Sequence, residues 1–533
     1  MLASMKAIPV LTLVCSIGLA QHEHSLAPSN EKLVALYPGL GTWTHPIATR
    51  VPEAQKYFDQ GLTLMYGFNR YEARRSFRKV LEIDPDAVMA KWGLAMALGP
   101  YLNMDMDPDV HVQESCDVAK TGLATRQVTA TERAWLEAAA ARCPDYSEPQ
   151  KYVAAMRGLA ARFPDDPDAQ TLFAESLLVP VRWHFYPPGG KPAEGVEEAQ
   201  RVLEAVLRRY PYHPGANHFY IHAVESSPTP ERAVPSAQRL MGIVPWAGHM
   251  VHMPGHIWLR LGEYETAVAV NERATEVDRD YFAKTGVASS YYMNYVHALV
   301  FIVYARAMQG RLAETRKTLE TLHSSLSAMP DTGPGEMYIA FIEMRMRMWD
   351  ELLTRPQPKG HNPIFTAMWH YGRAMALFGK GRHGEARQEQ QQFESLRTKI
   401  DRNMQWGADN VGAIFDLGAA VLDARLESDS SAAIAKWQKA VNMQDRLFYF
   451  EPPSWYYPVR ESLGAALLRS GDALAAENMF REGLQRSPNN GRILFGLRES
   501  LRAQHKTDEM VWVEREFQKA WNGADVVLRV EDL

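Results

Sequence analysis

A recurring spacing of 34 residues decides most of what this chain of 533 residues can become. Gly61, Ala73, Phe77 and Pro85 form one set of small, aromatic and proline positions. Gly464, Ala476, Phe480 and Pro488 repeat it at the same offsets, with Gly483 added. Ala386, and the pair Ala433 and Trp437, anchor two weaker copies. Each position has a cause: small residues let two helices approach, the aromatic fills the gap between them, and the proline ends the second helix. A unit of this length is one helical hairpin that cannot bury its apolar face alone, so hairpins must stack. Nowhere does a stretch show the sustained period-two alternation of strands. The expectation is all-α.

These residues resemble the tetratricopeptide family over most of the chain. The resemblance implies a solenoid of tetratricopeptide-type helical hairpins, a superhelix with a concave groove. Thr354 to Pro363 (TRPQPKGHNP) reads as the linker at 354–363, dividing the solenoid into lobes at 51–353 and 364–533. Within the first lobe, Asp109 to Arg142 reads as a hairpin with Thr129 and Thr131 as candidate caps. Asp168 to Leu178 begins a repeat whose second helix is delayed by the insert VPVRWHFYPPGGKPAEG (Val179 to Gly195). Its prolines and glycines break helix, and Trp183, His184, Phe185 and Tyr186 are costly to expose. The insert is expected to fold over something.

At the N-terminus, Lys6 precedes an apolar run from Ala7 to Leu19, and small residues follow at Gly18 and Ala20. This predicts a signal peptide at 1–20, then an irregular segment at 21–50. The run is shorter than the roughly 20 residues of a comfortable membrane span. A periplasmic or secreted protein is expected, with no membrane association after cleavage. Export leaves Cys116 and Cys143, either joined as one disulfide across a hairpin or both buried as thiols. A net charge of -5 offers no electrostatic argument for nucleic acid, which is not expected as a partner.

The stretch from His213 to His256 holds six of the 17 histidines. His218 and His222 form one HxxxH, and His252 and His256 repeat it 34 residues later. In the repeat register, His218, His222 and Glu225 take places 5, 9 and 12, and His249, His252 and His256 take places 2, 5 and 9. The family resemblance implies that these places line the concave groove. Residues four apart share a helix face, and neighbouring helices lie about 8–10 Å apart, so the two pairs can converge. Four histidines, or three with Glu225, would suit one transition metal ion (Zn, Cu or Fe), ligand type alone not choosing among them. His249 is a further candidate ligand. His297 is another, at place 2 if Gly310 matches Gly262. Glu175, placed beside His222 by aligning Pro167 with Pro214, is with Glu225 a candidate ligand or catalytic base.

Several chemistries are excluded. An HExxH protease needs glutamate directly after the first histidine, where Phe219 and Met253 stand. No GxSxG, phosphate loop or dinucleotide fingerprint is present. The carboxylate-clamping lysine and asparagine of chaperone-tail grooves are replaced by histidines. The expected function is metal binding in the groove, with a metal-dependent hydrolase or oxidoreductase acting on a small molecule or peptide as the enzyme reading. The alternative is a non-catalytic scaffold that binds a peptide or protein there. HPGANHFYIHAVE, GHMVHMPGHIWLRLG and EPPSWYYPVRESLGAALL also resemble bacterial secreted tetratricopeptide proteins, which implies fold and export and leaves the chemistry open.

Overall fold

In a computed structural model of the chain, the described residues are 34–103, 110–286, 291–327, 333–358 and 362–533. The signal peptide read at 1–20, the first part of the 21–50 segment and residues 359–361 of the linker lie outside them. The helices of the first lobe begin with α1 (Pro52–Tyr66), α2 (Arg70–Ile83), α3 (Val88–Leu98), α4 (Val112–Leu123), α5 (Ala130–Ala140), α6 (Pro149–Arg162) and α7 (Pro167–Leu178). After the insert come α8 (Val196–Arg209), α9 (Pro214–Glu225), α10 (Val234–Ile243), α11 (Gly248–His252) and α12 (Pro254–Arg260). The lobe ends with α13 (Tyr264–Thr285), α14 (Tyr292–Met308), α15 (Leu312–Leu326), α16 (Gly333–Arg345) and α17 (Trp349–Thr354). The second lobe holds α18 (Pro363–Gly379), α19 (His383–Arg397), α20 (Val411–Arg425) and α21 (Ser430–Gln444), then α22 (Arg460–Arg469), α23 (Ala473–Arg486), α24 (Gly491–Ala503) and α25 (Thr507–Ala520).

Local chemistry sets the boundaries. Proline opens α1, α6, α7, α9 and α18, where its missing N–H costs nothing. Asp166, Asn362, Asn410, Asp429, Asp472 and Asn490 cap helices by accepting from first-turn amides. Thr129 makes a capping box with Glu132 at the start of α5. Cys116 and Cys143 form a disulfide across the α4–α5 hairpin. Among the described residues, the only sheet is a two-residue antiparallel ribbon, β1 (Gln405–Trp406) with β2 (Asp409–Asn410).

Consecutive helices pack nearest neighbour on nearest neighbour from α1 to α25, which is the solenoid principle. The α1–α2 and α22–α23 hairpins share one device. Phe77 wedges between Gly61 and Gly93, where added Cβ atoms would sit 2.8 and 2.4 Å from its ring. Phe480 is wedged the same way between Gly464 and Gly496, at 2.6 and 2.3 Å. The fold is thus an all-α, tetratricopeptide-type solenoid. The break read at 354–363 falls between α17 and α18, although α16 and α17 both pack on α18 across it.

The solenoid curls back on itself at two places. In the first lobe, α1 reaches α9, Tyr37 stacks on Trp246 at 4.2 Å, and Tyr281 donates to Glu72 over 3.2 Å. Asp168 draws in the N-terminal segment, accepting from Trp43 Nε1 at 3.1 Å and the Tyr66 hydroxyl at 2.6 Å. The second lobe folds onto the first. Arg345 of α16 pairs with Glu461 of α22 at 2.5 and 2.9 Å, and Asp525 accepts from the first amides of α15. His184 Nε2 of the insert lies 3.0 Å from the Ala408 carbonyl between β1 and β2, and Trp183 tilts against Phe450 at 5.7 Å. The insert does fold over something, as expected: with the loop before α22 it covers part of the concave groove and takes its aromatic surface out of water there. Among the described residues no helix is long and apolar enough to cross a membrane.

Candidate metal centre

The six histidines read as candidate ligands come together in the core, and they divide into two threes. His218 and His222 on α9 join His249 on α11; His252 on α11 and His256 on α12 join His297 on α14. Within each three, one ligand atom per residue lies within 4.8 Å of the others. Three successive first helices supply them, as the repeat register requires. Pro254 interrupts what would be one helix and divides it into α11 and α12, because it lacks an N–H and its ring crowds the preceding turn.

Hydrogen bonds assign the tautomers. His218 Nδ1 lies 2.6 Å from the Tyr66 carbonyl, which can only accept, so Nδ1 carries the proton. His222 Nδ1 lies 3.0 Å from Glu225 Oε1. His252 Nδ1 lies 2.5 Å from Asn271 Oδ1, and the Asn271 amide donates to Ala267, so Oδ1 is the acceptor. This leaves the Nε2 atoms of His218, His222 and His252 as acceptors facing inward. His218 Nε2 stands 3.1 Å from His222 Nε2 and 3.2 Å from His249 Nε2, and His252 Nε2 stands 2.9 Å from His256 Nε2. His218, His222, His252 and His256, read from the sequence as one four-histidine set, are divided between the two clusters, each place-9 histidine lying with its own place-5 partner and the place-2 histidine of the next repeat.

Burial among other imidazoles pushes His218, His249 and His252 well below the ordinary histidine value, and His297 down to about 3. His256 goes the other way. Burial opposes its charge, but Glu225 Oε2 at 2.6 Å and Glu451 Oε2 at 3.2 Å from Nδ1 outweigh it and push it up to about 10. Burial likewise opposes the Glu225 charge, yet His256 and His222 hold that carboxyl down to about 2. Glu225 thus faces both sets, orienting a histidine in each, and is not itself in either three.

Glu175 is placed elsewhere. Its carboxylate accepts from the Leu102 amide near Arg70 and Arg142, and no group of clustered ligand atoms among the described residues includes it. Burial pushes it from 4.5 up to about 7 against the pull of both arginines. Between those values the unfolded chain has lost a proton that the folded chain keeps, so folding stability falls as pH rises through that window. Glu175→Gln removes the titration. Its stability relative to the wild type is expected to rise from pH 4.5 to pH 7, by about 3 kcal/mol at most, and then level off. Denaturation midpoints of both proteins at pH 5 and pH 8 check this.

Three groups at the site escaped sequence reasoning. Glu451 arrives from the second lobe at the head of EPPSWYYP, a phrase with no place in the repeat register. The Tyr66 carbonyl is backbone and leaves no side-chain signal. Asn271 was readable in principle: it stands at place 24, sixteen residues after Gly255, where an aromatic is usual, and a Cβ on Gly255 would lie 2.5 Å from its amide.

A cavity of about 30 Å³ lies between the two threes, walled by His222 and His249 from one and His256 and His297 from the other, with Phe185 and Phe450 above. Ser226, Tyr449, Phe450 and Glu451 separate it from a second chamber of about 380 Å³ that is open to solvent.

No protein-family model matches the chain, and no curated protein does. Among solved structures, the human IFIT1 dimer with m7Gppp-AAAA is similar over 90% of this chain and 92% of that one, at 11% identity and a TM-score of 0.37. The APC/C hetero-tetramer Cut9-Hcn1 is similar over 86% of this chain and 78% of that one, at 13% identity and a TM-score of 0.34. Likenesses this weak transfer no ligand or partner.

Proposed function

We propose that the chain is an exported solenoid protein that binds a transition metal through its buried histidines and acts with it on a small molecule. One observation carries the metal: His218 Nε2 is 3.1 and 3.2 Å from the Nε2 atoms of His222 and His249, while the Nδ1 protons of His218 and His222 are committed to Tyr66 and Glu225. With both Nδ1 protons committed, the His218 and His222 lone pairs face each other at that separation, an arrangement that a shared proton or a metal ion relieves. Metal–nitrogen bonds of about 2.0–2.1 Å set ligand nitrogens at such distances. Acceptors on Nδ1 are the usual means of orienting a metal-bound imidazole. Imidazole ligands suit Zn, Cu, Fe or Ni, so hydrolytic and redox chemistry both fit.

The chamber of about 380 Å³ supports a small-molecule substrate, since ligand pockets span roughly 300–1,000 Å³. The Cys116–Cys143 disulfide supports export, because such bonds persist in oxidising compartments. A peptide-binding scaffold has less support, because Trp183, Phe185 and Phe450 cover the histidines and leave only a cavity of about 30 Å³ beside them.

Metal content tests the reading. Full-length protein purified without a histidine tag, stripped with chelator, reloaded with zinc or copper and desalted, is expected to retain at least one ion per chain. His218→Ala/His222→Ala should retain less. A wild-type protein that keeps neither metal would sink the proposal.

A further inference from the structure

The two histidine threes are one arrangement used twice. His218 and His252 both occupy place 5, and His222 and His256 both occupy place 9. The third members are equivalent too. His249 lies thirteen residues before Gly262 and His297 thirteen before Gly310, and these glycines make the same left-handed turn after their helices, with φ of 72° and 70°. Each three therefore takes places 5 and 9 of one repeat and place 2 of the next. The pattern does not extend further: the preceding repeat offers Thr171 and Glu175 at those places, and the following one Val300 and Tyr304.

We infer that the chain holds two transition metal ions side by side, one in each three-histidine set, with the small cavity between them as the site of a shared ligand. This rests on the metal-binding reading above and specifies its stoichiometry. Donor clustering separates His218, His222 and His249 from His252, His256 and His297 and mixes none of them. Three imidazoles leave at least one coordination position open on a four-coordinate ion. Two histidines of each set wall the same cavity, so the open positions can face it. The sets are adjacent: His249 and His252 have ring centroids 5.7 Å apart, and His222 and His256 6.0 Å.

The cavity size limits the shared ligand. About 30 Å³ compares with the 10–15 Å³ that one water needs, so one or two non-hydrogen atoms fit, as in hydroxide or a diatomic molecule. The outer chamber, which shares Ser226, Tyr449, Phe450 and Glu451 with this cavity, has the room for anything larger.

Stoichiometry of the full-length, tag-free protein decides the matter. After stripping and reloading with excess zinc or copper, the wild type is expected to bind two ions per chain. His218→Ala/His249→Ala and His252→Ala/His297→Ala should each bind one, and the variant with all four changes none. A wild type that saturates at one ion, lost in both double variants, would overturn the two-ion inference and leave metal binding intact. Retention of no ion would overturn metal binding itself. A copper titration of the unsubstituted protein gives a second test independent of variant folding. Two bound coppers this close should give an electron paramagnetic resonance spectrum with dipolar broadening and a half-field transition, or a signal below the copper content where a shared ligand bridges them. A full-intensity spectrum at two equivalents with neither broadening nor a half-field transition would refute the side-by-side placement.

Discussion

Glu461→Ala is expected to destabilise the protein by about 3–5 kcal/mol, the usual cost of removing one partner from a fully buried ion pair. Glu461 has no exposed surface. Its two oxygens accept from Arg345 at 2.5 and 2.9 Å, Asn490 donates to it at 2.9 Å, and Arg492 Nε lies 3.2 Å away. Burial alone would raise its pKa, but the arginines hold it below the ordinary carboxylate value. Alanine leaves Arg345 and Arg492 as neighbouring buried cations with no counter-charge. Glu461→Gln keeps an acceptor for Asn490 without the charge and should fall between alanine and wild type. Chemical denaturation followed by circular dichroism reads the order. Equal midpoints for alanine and wild type would mean that the contact between α16 and α22 does not depend on this pair.

Glu225→Ala is expected to weaken metal binding at both histidine sets by about 10–100-fold each, the range typical for losing a group that orients a ligating histidine. A single carboxylate accepts from His222 Nδ1 of one set and stands 2.6 Å from His256 Nδ1 of the other. Asn271→Ala should weaken only the set containing His252, whose Nδ1 it accepts from. Competition with a chelating indicator separates the two patterns. If Glu225→Ala changed one affinity and left the other alone, the carboxylate would not be the link between the sets.

Much of the scaffold was legible because repeat packing is local. Gly61 lies sixteen residues before Phe77, and Gly464 sixteen before Phe480, so closing one hairpin brings each pair together. The histidine register was legible for the same reason, since places 5 and 9 share one helix face. Pairing of the threes was harder to read. It depends on His297, whose distance from His256 is stretched by the 22 residues of α13. Glu175 joins neither three, because place 9 of its repeat turns toward Arg70 and Arg142 and the Leu102 amide. Position on a groove face does not say which neighbours fill the groove.

The amino-acid sequence by itself determined an all-α stack of hairpins and a histidine pair repeated one period apart, because both follow from 3.6-residue periodicity and the spacing of small, aromatic and proline residues. Only the tertiary structure decided that the insert and the second lobe cover the histidines, that the six histidines form two threes, and that Glu225 orients a histidine in each. Those features depend on how far the solenoid curls and on what the second lobe inserts. Glu451 reaches His256 across 195 residues of chain, and no local spacing encodes a contact that the summed curvature of many repeats creates.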